Sequence, residues 1–150
     1  MRDHRRDARR WNDTARDRAA WRFSCSDVAN RKKLRSGIHA ANNYAFSLAQ
    51  LKRSGEAKAL LRRQIPVARR VLGEGHEIKL TMSWNYARAL YENASATLND
   101  VCEAVTTLEE TKRKARRVMG RAHPVTMSIE RDLRVARAAL RAREAPPTSG

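Results

Sequence analysis

Little in this sequence favours a β-sheet. Aromatics are 5% of the chain, with only four prolines and six glycines among 150 residues. Ala, Leu and Arg dominate instead, a balance that favours helix over strand. No apolar run approaches the roughly 18 residues that span a bilayer. The start, "MRDHRRDARRW", is basic but leads into no apolar stretch, so it does not read as a secretory signal. Asp3, Asp7, Asp13 and Asp17 argue against an organellar transit peptide. Two cysteines, Cys25 and Cys102, form neither a disulfide framework nor a metal-ligand spacing. They read as reduced thiols of an intracellular, cytoplasmic protein. There is no Gly-rich phosphate loop, no Gly-x-Ser-x-Gly and no Cys-x-x-Cys. The expectation is therefore a non-enzyme with no catalytic residues, no metal and no cofactor.

What the chain does have is positive charge, with a formal net of +16. Residues 1–35 carry 12 basic and 5 acidic side chains, residues 36–110 carry 9 and 8, and residues 111–150 carry 11 and 3. The middle is almost neutral and the ends are cationic. Cationic ends attract polyanions: nucleic acid, an acidic lipid surface or an acidic protein. Arg outnumbers Lys 25 to 7, a bias that GC-rich coding also produces.

Sliding the sequence against itself exposes a repeat. "NNYAFSL" (Asn42–Leu48) matches "WNYARAL" (Trp84–Leu90) at an offset of 42. "RVLGEGH" (Arg70–His76) matches "RVMGRAH" (Arg117–His123) at 47, and "GEAKALL" (Gly55–Leu61) matches "CEAVTTL" (Cys102–Leu108) at the same 47. The extra five residues fall within "ENASATLND", which reads as a lengthened turn. Three- and four-residue apolar spacing predicts helices over about 35–51, 56–72, 78–91 and 98–119, and a last one from Pro124 to about 143. Gly73 and Gly120 serve as helix stops, and Pro66 sits inside the second helix. Residues 1–30 form a basic N-terminal segment. Ala8, Trp11, Ala15 and Ala19 recur at helical spacing there, leaving a packed basic helix or a disordered arm open. "SCSDVANRKK" reads as a linker, with Ser26 or Asp27 as helix cap. Residues 145–150 read as a disordered tail.

Several phrases recur in one order: Asn42-Asn43-Tyr44-Ala45 then Glu56-Ala57, Leu72-Gly73 then His76, Leu80 and Asn85-Tyr86-Ala87. The second round is Met119-Gly120, His123-Pro124, Thr126-Met127 and Asp132-Leu133. This pattern resembles the long tetratricopeptide repeat of the kinesin light chain type, over roughly Arg31–Arg141. The resemblance implies an all-α fold, an α-α superhelix of antiparallel helix pairs. Its units would be 31–73 and 74–120, with a capping helix over 124–143. The chain departs from the family at the first A–B turn, where Lys52 and Ser54 replace a Gly and an aromatic, and at Glu77, which replaces Pro. Arg134 replaces a small Ala, which marks the last helix as a solvent-facing end.

In that family helix A lines a concave groove, and an Asn there bonds the backbone of a bound peptide. An amide both donates and accepts, so it suits any peptide group. The matching positions are Asn43, Asn85 and Asp132. Asn42, Phe46, Trp84, Arg88 and Arg131 (with Val135) share that face and offer apolar contact and charge for an acidic ligand. The competing reading is that these Asn side chains bond the adjacent helix. The implied function is a protein–protein interaction module, a scaffold or adaptor. The alternative is polyanion binding through the cationic thirds, chiefly Lys112, Arg113, Lys114, Arg116, Arg117 and Arg121, although no aromatic platform lies in that run. His76 and His123 occupy matching joints one repeat apart, so they read as turn or capping residues.

Overall fold

The computed structural model describes residues 15–147, with side chains from Val28 onward. The described residues form five helices: α1 (Ala15–Gln50), α2 (Ser54–Leu72), α3 (Glu77–Tyr91), α4 (Leu98–Val118) and α5 (Pro124–Glu144). The expected packing role of Trp11 and half of the expected tail, residues 148–150, lie outside the described residues. No described helix is long and apolar enough to cross a membrane.

The linker expected at 24–33 is a correction: α1 runs straight through it. Residues 15–36 contain no Gly or Pro to break a helix, and their Ala, Arg and Lys are good helix formers. The chain divides into two compact units, Met1–Ser36 and Gly37–Gly150.

In the second unit, α2 packs on α3, α3 on α4 and α4 on α5, and α3 also touches α5. One apolar core joins them to the end of α1 through Ile38, Ala45, Leu61, Leu80, Leu108, Ile129 and Leu133. The central helix is α3, with nine of its fifteen residues buried. Pro66 is accommodated within α2.

The twice-written phrase makes two joints with one design. Gly73, at φ +93°, ends α2, and its N–H bonds the Arg69 carbonyl. Gly120, at φ +89°, follows α4, and its N–H bonds the Arg116 carbonyl. Left-handed backbone is open to Gly at little steric cost. His76 then caps α3: its Nδ1 accepts the Ile78 N–H at 3.2 Å. His123 caps α5 in the same way, accepting the Val125 N–H at 3.2 Å, with Pro124 in the first turn. The longer turn before α4 ends in a capping box between Thr97 and Asp100. Lys58 of α2 reaches Asp100 at 2.9 Å. The Thr97 N–H and the Lys58 ammonium together hold the Asp100 carboxyl down to about 2.

Candidate functional site

The end of α1, α3 and α5 are the helices that carry the repeated Asn phrase. Asn85 is buried, and its Nδ2 donates to Asn42 Oδ1 of α1 at 3.1 Å. Asp132 is buried too, and its Oδ2 accepts the Trp84 indole N–H of α3 at 2.6 Å. These two bonds are the same rung in successive units. In each, the residue at the Asn position reaches back to the residue one place earlier in the phrase on the preceding helix. Asn85 therefore bonds the adjacent helix, and Asp132, in the anionic version of the position, does likewise.

Asp132 gathers a cluster around it. Arg131 Nε donates to its Oδ1 at 3.2 Å, and Arg88 Nε lies 3.7 Å from its Oδ2. Arg88 also donates to Glu92 at 3.2 Å, and its guanidinium lies 5.8 Å from the Trp84 ring centroid, within cation–π range. The Tyr91 phenol sits in the field of the same carboxylates. Burial, then the Asp132 and Glu92 charges, push its pKa up. The sequence reading missed Tyr91 and Glu92. The signal was there, since Arg88, Tyr91 and Glu92 continue the three- and four-residue steps from Trp84.

Of the eight expected peptide-binding residues, the structure brings Trp84, Arg88, Arg131 and Asp132 together and pairs Asn42 with Asn85. Asn43 and Phe46 lie exposed on α1, and the Asn43 side chain makes no hydrogen bond among the described residues. Val135 on α5 is exposed as well.

The basic run of α4 divides by partner. Lys114 bonds Glu74 at 2.6 Å and Glu110 at 2.7 Å, and Arg116 pairs with Glu130. Arg116 is the main cause of the lowered Glu130 pKa. Lys112, Arg113, Arg117 and Arg121 make no ion pair among the described residues, nor do Arg134 and Arg141 of α5. Arg134 is exposed, as a solvent-facing last helix requires.

A cavity of about 260 Å³ lies between α2, α3 and α4, lined by Arg62, Arg69, Lys79, Tyr86, Glu103 and Lys114 among others. Its charges answer one another. Arg62 donates to the Tyr86 hydroxyl at 3.2 Å, and that hydroxyl donates to Glu103 at 2.6 Å. Lys79, only 4% exposed, donates to Glu74 at 3.1 Å. The described residues contain no group of three His, Cys, Asp or Glu able to hold a metal.

No protein-family model matches the chain, and neither a curated protein nor a solved structure matches it. Its function is therefore argued from the geometry of its own side chains.

Proposed function

We propose that this chain is a helical-repeat interaction module of the tetratricopeptide type, holding a partner segment on the face made by α1, α3 and α5. One observation carries the reading. The two repeated rungs, Asn85–Asn42 and Trp84–Asp132, tie these helices to one another, Arg88 and Arg131 gather at Trp84 and Asp132, and Phe46 of α1 and Val135 of α5 are exposed. Asn43 has its amide free to meet a peptide backbone. A rigid surface that mixes aromatic anchors with Arg suits an extended acidic segment carrying an apolar side chain. The assignment involves no catalytic step, metal or cofactor.

The test is capture of peptides from an acidic, aromatic-containing library by wild type and by Asn43→Ala/Phe46→Ala. Both side chains are exposed and neither belongs to the buried core, so the double variant keeps its core. Capture should fall at least about tenfold, the scale of losing central interface residues. Unchanged capture removes the reading.

A second reading has its own support. Lys112, Arg113, Arg117, Arg121, Arg134 and Arg141 form a set of cations near the C-terminal end that make no ion pair among the described residues. Such a set can neutralise phosphates. Binding to a DNA or RNA oligonucleotide should then weaken steeply as salt rises. No binding at low salt eliminates it.

A further inference from the structure

Lys79, Ser83 and Tyr86 of α3 recur at steps of four and three, so they share one side of the helix. At about 3.6 residues per turn, Trp84 and Arg88 fall towards the opposite side. The first three line the cavity between α2, α3 and α4. Two of them carry donors that the protein leaves unused. Ser83 is 5% exposed and makes no hydrogen bond among the described residues. Lys79 is buried too. An ammonium has three N–H donors, and among the described residues the one acceptor Lys79 meets is Glu74, at 3.1 Å. A buried donor without an acceptor is costly, so this wall of the cavity suits a ligand that accepts.

The neighbouring groups are already committed. The Tyr86 hydroxyl accepts from Arg62 at 3.2 Å and donates to Glu103 at 2.6 Å. Charge then narrows the ligand. Arg62, Arg69, Lys79 and Lys114 line the cavity against Glu103 and Glu110. Glu74 binds three of these cations, Arg69, Lys79 and Lys114. With all three carboxylates counted, one positive charge is left over.

We propose that the cavity binds a small organic monocarboxylate. Its single negative charge balances the excess. Its two oxygens suit the unused donors of Lys79 and Ser83, which lie one turn apart, and such bonds to a carboxylate are strengthened by charge. Ile65 and Pro66 of α2 offer an apolar wall to the carbon skeleton. Inorganic phosphate fits less well. It carries close to two charges at neutral pH, and it has no apolar body to set against Ile65 and Pro66. The volume of about 260 Å³ lies below the roughly 300–1,000 Å³ of pockets for drug-sized ligands, so the acid is small. The cavity lies across α3 from the proposed peptide face, and the two assignments stand or fall separately.

The experiment is an NMR titration of the isotope-labelled full chain with benzoate, benzamide and inorganic phosphate. Benzoate should give saturable amide shifts at Ser83 and at Thr107, which lines the cavity from α4. A roughly millimolar dissociation constant is expected, the scale for a ligand of about nine heavy atoms. Benzamide has the same shape without the charge and should bind at least about tenfold more weakly. Ser83→Ala removes a hydroxyl that no described group uses, so the fold is kept while benzoate binding weakens about tenfold. Shifts that scatter over the arginine surface without saturating overturn the proposal, since mere adsorption of an anion to a +16 chain produces them. So does benzamide or phosphate binding as tightly as benzoate. So does benzoate binding unchanged by Ser83→Ala.

Discussion

At the joint between α2 and α3, Glu74 receives Arg69, Lys79 and Lys114, drawing α2, α3 and α4 together. At the joint between α4 and α5 the matching residue is Arg121, exposed and without an ion pair among the described residues. The backbones agree: Gly at positive φ, three residues on a His cap, then a helix. The surroundings do not. The first joint sits under a following helix, α4, whose Lys114 reaches back to it. Among the described residues no helix follows α5. Thus local geometry is set by the phrase, and charge at each joint by what packs over it.

The largest expected effect tests that packing difference directly. Leu80 and Met127 are matching residues of α3 and α5, yet Leu80 is 0% exposed and Met127 57%. Leu80→Ala should cost about 2–5 kcal/mol, the range for emptying a packed core site. Met127→Ala should stay within about 0.5 kcal/mol. Urea unfolding of both variants decides. Equal losses would mean that the two joints are covered alike.

Gly73→Ala comes next. Gly73 holds φ +93° and ψ 164°, a region almost closed to residues with a Cβ. The cost should be about 1–3 kcal/mol, although the added Cβ meets no neighbour. The end of α1 gives the converse. Lys52 holds φ +62° without being Gly, so Lys52→Gly should raise stability by about 1 kcal/mol. A gain there alongside a loss at Gly73 would show that both helix ends favour Gly at positive φ and that only the second has it.

Much of this was legible in the sequence. The offsets of 42 and 47 located the helices, the lengthened turn and the glycine stops, because periodicity and punctuation are local. The linker at 24–33 was misread because a polar stretch resembles a loop until one notices that nothing in it breaks a helix. The Asn85–Asn42 and Trp84–Asp132 rungs were not legible as bonds. Their residue types allow many partners, and only the stacking of helices selects one. The same holds for Glu74: nothing local announces that Lys114, forty residues away, will bond it.

Glu74→Gln sharpens the electrostatic half of the comparison. The Lys114 bond is the main cause holding the Glu74 carboxyl at about 2, below its ordinary 4.5. A lowered folded value means that the ionised form stabilises the fold. The contribution is complete above pH 4.5 and fades as pH falls towards about 2. Glu74 is 46% exposed, so solvent screens part of it. The variant also leaves the buried Lys79 ammonium with a weaker acceptor. A loss of about 1–2 kcal/mol at neutral pH is expected. The gap between wild type and variant should narrow in acid, read from urea midpoints at pH 7 and pH 3. Arg121→Glu at the second joint should change little at either pH. If the gap persists undiminished in acid, the Glu74 charge is not its source.

The smallest expected effect lies one turn into the helix after each joint. Lys79 and Thr126 are matching residues, both buried. Lys79 has Glu74 as its acceptor, whereas the Thr126 hydroxyl has no hydrogen-bond partner among the described residues. A buried polar group without a partner costs free energy. Val has nearly the shape of Thr and a similar helix propensity. Thr126→Val should therefore stabilise the protein, by about 1 kcal/mol or less. Lys79→Val should do the reverse, since it leaves Glu74 with one helix fewer to hold. Thermal melts of the pair give opposite signs if the joints differ as described. A loss at Thr126 would mean that its hydroxyl is partnered in solution and that the second joint is less open than its residues make it.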